Sequence, residues 1–289
     1  MLKTTELFYF YRIINWQNKI SGMRSLGYSV LGYLMAGHLN LPFFFLNSLI
    51  IIGWLMLVFS LNDYFDWKVQ KEKNFLSSKI TKRELSEKQA LFYIFLPLLL
   101  CLFLIIESLI SWRPIFFFIL FSLVVLFYTL PSIRLKRRKI LGFLVSPITV
   151  SLIFLQSYFI FGRLNLDIIF LTVLIFLFHC YLEVLHALED SLAPDEITRI
   201  SSNQALKLLK AAPLISLFIS LLFAFYNPIF FISSFFALIR IISLKKFREL
   251  VAKEKLTIQN IQSVRRNFLS LQLSLYEFLI YGALGALYR

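Results

Sequence analysis

Charge is what this sequence has least of. Asp, Glu, Lys and Arg make up 16% of its 289 residues, where a soluble domain carries about 25%. Cysteine is nearly absent: Cys101 and Cys180 each lie inside an apolar segment. That suits small packed hydrophobes and excludes a disulfide-stapled scaffold. A cleavable leader is not legible either, because Lys3 and Glu6 open the chain and no short apolar stretch ends in a small-residue cleavage site. What fills the chain instead is apolar. Hydrophobic residues reach 59%, Phe alone occurs 33 times, and mean hydropathy is +0.76. Runs such as Leu91–Ile106, Phe116–Leu130 and Ile168–Leu182 are almost free of charge. A helix needs about 20 mostly apolar residues to cross the hydrocarbon core of a bilayer. A single soluble core is therefore excluded, and an all-α integral membrane bundle is predicted.

Nine candidate spans centre near Val30, Ile52, Leu99, Leu123, Ile153, Leu174, Ile219, Phe235 and Leu279. The seventh and eighth are parted only by a turn at Asn227-Pro228. With nine spans, all but Arg113, Arg163 and Arg289 of the 30 Lys and Arg fall in the N-terminal segment and the loops of one side. Such bias marks the cytoplasmic face, so the N-terminus is expected inside and the C-terminus outside, in a bacterial inner membrane. The net charge of +14 is then topology and contact with anionic lipid, not a nucleic-acid surface. Acidic clusters follow spans 2 and 6, and basic runs follow spans 4 and 8. This faint repeat suggests two four-helix halves plus a ninth helix. Between spans 2 and 3, Ser86-Glu87-Lys88-Gln89 forms a capping box that starts span 3. The segment from Lys245 to Arg266 mixes Leu, Val and Ile with charge at near-helical spacing, as a helix lying at the interface does.

Chemistry concentrates at two helix ends. Asn62-Asp63-Tyr64-Phe65-Asp66 closes span 2, and Gln70 follows. Residues 63, 66 and 70 share one helix face. An acidic helix end also serves as a plain solvated boundary, but ionisable groups within a membrane bundle are expensive and mark function. Two carboxylates on one face suit a hard cation such as Mg²⁺, which takes one or two carboxylates plus substrate phosphate oxygens. Glu183, His186 and Asp190 in span 6 repeat the same offsets. A third element is Tyr128-Thr129-Leu130-Pro131-Ser132-Ile133-Arg134-Leu135-Lys136-Arg137-Arg138-Lys139, with five basic residues in six positions. Most of these anchor the loop at the cytoplasmic surface. One or two can clamp a diphosphate, and spacing alone does not choose which.

Asn62-Asp63-x-x-Asp66 at the end of span 2, followed by a basic loop, resembles the first motif of the UbiA prenyltransferase superfamily. That pattern continues to a third Asp, where this chain has Gln70. The stretch from Tyr128 to Gly142 is similar to the superfamily's Tyr-x-x-Pro-x-x-x-x-Lys segment. Glu183, His186 and Asp190 match the second motif in divergent form. The resemblance implies one UbiA-like transmembrane domain over residues 1–289. It implies a membrane prenyltransferase that ionises a prenyl diphosphate with Mg²⁺ and passes the isoprenoid group to a hydrophobic acceptor, aromatic or lipid-like. By the resemblance Asp63, Asp66 and Asp190 are catalytic and hold metal together with Glu183. Asn62, Lys136 and Arg137 meet the diphosphate, and Gln70, His186 and Tyr128 are additional site residues. A terpene cyclase on the same scaffold is the second enzyme reading. A transporter is a third, but both acidic clusters lie toward one face and the centres of spans 2 and 6 carry no Pro, unlike midplane transporter sites on broken helices. A non-catalytic assembly partner is the fourth.

Overall fold

The computed structural model describes residues 2–11, 23–37, 40–71, 73–133, 135, 139–191, 202–252, 257, 259–260 and 271–287. All regular structure among them is helical: α1 Thr4–Phe10, α2 Met23–Met35, α3 Leu41–Gln70, α4 Phe75–Thr81, α5 Glu87–Phe95, α6 Leu98–Cys101, α7 Leu104–Ser108, α8 Arg113–Thr129, α9 Lys139–Tyr158, α10 Leu166–Ser191, α11 Ser202–Tyr226, a 3₁₀ turn Pro228–Phe230, α12 Phe231–Ala252 and α13 Leu271–Leu287. Each predicted span centre falls in one of the helices. Among the described residues, the segments Leu41–Val69, Glu87–Ser108, Leu141–Tyr158, Leu166–Leu185 and Lys207–Tyr226 are long and apolar enough to cross a membrane, and Arg113–Thr129 and Pro228–Ile242 are shorter apolar helices. The protein is an integral membrane protein. Nine crossings is more than length and composition alone establish.

The chain forms two compact units. One is built from the described residues up to 138 together with Leu152–Gly162, the other from Lys139–Ser151 together with the described residues from 163 to 288. The division falls inside α9, where the predicted halves would part in the loop before it.

The first unit is organised around α3. Asn40 caps its start by accepting from Phe43 N at 3.3 Å, and Pro42 sits in the first turn, where its missing N–H costs nothing. Thirty residues make a helix about 45 Å long, longer than the roughly 30 Å hydrocarbon core. Its inner stripe of Ile51, Trp54, Leu57, Leu61 and Tyr64 is buried with Phe121 and Val125 of α8, Ile94 of α5 and Cys101 of α6. Trp54 sits edge-on between Phe118 and Phe121. Near the other end of α3, Asn47 donates to Ser29 and Ser157 at 2.9 Å each and accepts from Gln156, which also donates to Glu107 at 3.2 Å. These polar groups are all buried, and their mutual bonds fix the register of α2, α3, α7 and α9 where apolar packing alone would let helices slide.

The second unit packs α11 against α10 and α12. Phe170 and Phe223 stack with centroids 3.5 Å apart. The predicted turn at Asn227-Pro228 is present: Asn227 accepts from Ile229 N and donates to Asp167, both at 3.1 Å. Arg240 corrects one expectation. Counted with the basic loop after span 8, it lies inside α12, 5% exposed, because α12 continues to Ala252. Its guanidinium lies 4.6 Å from the centre of the Phe178 ring and pairs with Glu277 of α13 at 2.5 Å. Most of the expected interfacial helix beyond Ala252 lies outside the described residues.

Candidate functional site

The acidic end of α3 carries the most complete constellation. Asp63 and Asp66 are 4% and 3% exposed, so the helix buries two carboxylates at the edge of an apolar span. Isolated carboxylates in such surroundings cost several kcal/mol each, on the order of the burial penalty for any unpaired ion, and polar partners must hold them. Asn62 supplies one: its amide donates to Asp66 Oδ2 at 2.8 Å, one turn along the helix. Asn74 supplies another contact, its amide donating to the main-chain carbonyl of Asp63 at 2.9 Å. Asn74 also caps α4, accepting from Ser77 N at 2.8 Å.

Two further residues of the same helix end bond the start of α5. Tyr64 donates to Glu87, the first residue of α5, at 2.5 Å. Lys68 bonds the Tyr64 hydroxyl at 3.0 Å and pairs with Glu87. The end of α3 is thus tied to the starts of both α4 and α5. The chain leaves it through Lys71, which takes the left-handed conformation (φ 59°) as C-cap, its N–H bonded to Trp67 and Asp66 carbonyls.

The second cluster lies on α10, which runs unbroken from Leu166 to Ser191. Continuity keeps Glu183, His186 and Asp190 on one face, as their spacing requires. Glu183 is half-buried, at the end of the apolar stretch Leu166–Leu185. The side chains of His186, Asp190 and Gln70 lie outside the described residues, and so do Lys136 and Arg137. Tyr128 is half-buried in the last turn of α8.

The structure therefore bonds Asn62 to Asp66 and ties the helix end that carries Asp63 and Asp66 to Asn74 and, through Tyr64 and Lys68, to Glu87. The sequence offered no signal for Asn74 beyond its fitness as a helix cap, and Glu87 was legible only as part of the capping box. Among the described residues, no three His, Cys, Asp or Glu side chains converge on a metal position. The donor set at α3 is nonetheless all oxygen and carries two carboxylates, which fits Mg²⁺ rather than a softer metal.

No family profile matches the chain, and no curated protein matches it in sequence. Solved structures match it in fold over nearly its whole length. One, described for digeranylgeranylglyceryl phosphate synthase in membranes, superposes with a TM-score of 0.70 at 17% identity and covers 100% of both chains. A UbiA homolog from Archaeoglobus fulgidus gives 0.68 at 17% identity, covering 98% of this chain and 97% of the other. The same homolog bound to GPP and Mg²⁺ gives 0.65 at 15% identity, with 98% and 97% covered. At such identity the likeness is one of fold.

Proposed function

We propose that this chain is a Mg²⁺-dependent membrane prenyltransferase of the UbiA type. It moves an isoprenoid group from a prenyl diphosphate to a hydrophobic acceptor, aromatic or lipid-like. The observation that carries the reading is the buried Asp63–Asp66 pair with Asn62 at the end of α3, in a fold shared with a homolog whose structure holds GPP and Mg²⁺. The whole of residues 1–289 acts as one catalytic domain, with its acidic helix ends on the cytoplasmic side.

The residue roles follow from their chemistry. Asp63, Asp66, Glu183 and Asp190 would hold Mg²⁺, which when bound offsets the charge gathering on the departing diphosphate. Asn62 fixes the rotamer of Asp66 through its amide, so that the carboxylate is oriented before substrate arrives. Lys136 and Arg137 bind diphosphate oxygens by charge-assisted hydrogen bonds, and Tyr128, Gln70 and His186 add further hydrogen-bonding groups. Aromatic side chains of the bundle would shield the allylic cation from water and face it with their rings.

The test is equilibrium binding of geranylgeranyl diphosphate to purified protein, with Mg²⁺ and with EDTA, for wild type and Asp63→Asn. The expected result is saturable, metal-dependent binding in the wild type. Loss of a direct ligand should weaken it by at least the roughly 10–100-fold that follows loss of an outer-shell partner. Folded wild-type protein that binds no prenyl diphosphate of any chain length sinks the reading.

A further inference from the structure

We infer that Asn74 is a positioning residue for Asp63, holding the last acidic turn of α3 in place from the cap of the next helix; this rests on the prenyltransferase reading above. Its side chain does two things at once. Oδ1 accepts from Ser77 N at 2.8 Å, capping α4, and Nδ2 donates to the Asp63 carbonyl at 2.9 Å. The cap is reciprocal, since Asn74 N donates to Ser77 Oγ at 2.7 Å. Neither half of the side chain can therefore move without breaking a bond.

The need for such a bracket comes from where Asp63 sits. Helix ends fray within their last turns, and α3 ends only a few residues beyond Asp66, at Gln70. A metal-binding carboxylate must be held to within about 0.5 Å by groups whose own positions are locked. The Asn74 amide grips the main chain of Asp63 itself, so it restrains the backbone that carries the carboxylate and leaves the carboxylate oxygens for other partners. Tyr64 and Lys68 make a second tie, to Glu87 at the start of α5. The Asn62–Asp66 bond then completes a turn fixed at its backbone and at one of its side chains.

Only asparagine meets both demands at this position. Serine and aspartate both cap a helix well, but aspartate has no donor and the serine side chain is too short to span to Asp63. This separates the capping role from the positioning role. The experiment compares wild type with Asn74→Ser, Asn74→Asp and Asn74→Ala. It records the melting temperature of each and the Mg²⁺ concentration that half-saturates geranylgeranyl diphosphate binding. Asn74→Ser and Asn74→Asp are expected to melt with the wild type and to need about tenfold more Mg²⁺, the scale of an outer-shell loss. Asn74→Ala should lose on both measures. A wild-type Mg²⁺ midpoint in Asn74→Ser overturns the inference, and so does a midpoint that moves only in variants that also melt lower, since Asn74 would then be a cap and nothing more. Absence of Mg²⁺-dependent binding in the wild type itself is a distinct result, and it removes the reading of function and this inference together.

Discussion

A single methyl group separates two glycines of α2. A Cβ on Gly32 would stand 2.3 Å from the main-chain oxygen of Phe154, whereas one on Gly27 would meet nothing within 4 Å. Backbone cannot yield as a side chain can, so Gly32→Ala should push α2 off α9 and cost about 1–3 kcal/mol, the usual penalty of overpacking. Gly27→Ala should be neutral or stabilise by up to about 1 kcal/mol through helix propensity. Unfolding of the two variants in detergent, side by side, checks the contrast. Arg240 makes a second comparison. It bonds Glu277, which also accepts from Ser233 at 2.6 Å, and Ser233 is bonded to Tyr281 at 2.7 Å. Arg240→Met alone should cost about 3–5 kcal/mol, because it strands a buried carboxylate, while Arg240→Met with Glu277→Leu should recover most of the loss. Equal stability of the single and double variants would remove the stranded carboxylate as the cause of the loss. These residues also mark what a sequence discloses. Asp63 and Asp66 stand out because ionisable groups at the edge of an apolar span are expensive to bury. Arg240 does not, because Lys245, Lys246 and Arg248 follow it closely and its partner lies 37 residues away. Asn74 is hidden for the same reason: nothing local says that its amide reaches back to Asp63.

Local signals at the level of elements fared better when they were self-contained. The Ser86 capping box starts α5 as its residues require, with Ser86 accepting from Gln89 N at 3.2 Å and Gln89 accepting from Ser86 N at 2.9 Å. The span it opens reads as one apolar run but folds as α5, α6 and α7. Pro97 accounts for the first break, since it lacks an N–H and its ring clashes with the preceding turn. From there the bonds tighten to three-residue steps, such as Leu100 N to Pro97 O at 3.0 Å and Ile105 N to Leu102 O at 3.0 Å. α3 approaches this broken stretch closely, for a Cβ on Gly53 would stand 2.9 Å from Pro97 O. The short helices α1 and α4 were not legible, being seven residues each and held by one another. Lys79 of α4 bonds Glu6 of α1 at 2.5 Å, and Glu6 also accepts from Lys3 N at 2.8 Å. The Lys79 bond, then the Lys3 bond, lowers the Glu6 pKa from the ordinary 4.5, and bonds to Glu6 and Glu84 raise that of Lys79 above 10.5. A lowered carboxylate pKa contributes stability above the ordinary value and loses it as pH falls through the folded one. A raised lysine pKa contributes below its ordinary value and loses it as pH climbs through the folded one. Docking of α1 should therefore be flat with pH between those limits and weaken below the usual glutamate range. Hydrogen exchange in α1, corrected for intrinsic rate, should show the acid-side loss in wild type but not in Glu6→Gln. The same loss in both would remove this ion pair as its cause.

For the molecule as a whole, the distribution of charge sets a direction that the helices alone leave open. A bundle can sit in a bilayer either way up, and its core packing is the same in both. What differs is which face holds the lysines and arginines; on the count of nine spans, all but Arg113, Arg163, Arg289 and the buried Arg240 are expected on one. Arg113 opens α8 and lies 5.6 Å from the ring centre of Phe159, just past the end of α9. Lys71 and Lys73 instead follow the acidic end of α3 and are exposed. With basic segments retained on the cytoplasmic side, the orientation we propose would put Asp63 and Asp66 on the face where a water-soluble diphosphate head would arrive. Cysteine mapping tests this directly. In a background with Cys101 and Cys180 replaced, Lys73→Cys should react with a membrane-impermeant maleimide only after cells are opened. Arg163→Cys, at the exposed start of the segment before α10, should react in intact cells. The reverse pattern would place the acidic helix end outside, and a cytosolic prenyl diphosphate could not then be its substrate. Labelling of both positions from the same side would instead break the count of crossings between them, and with it the assignment of both acidic helix ends to one face.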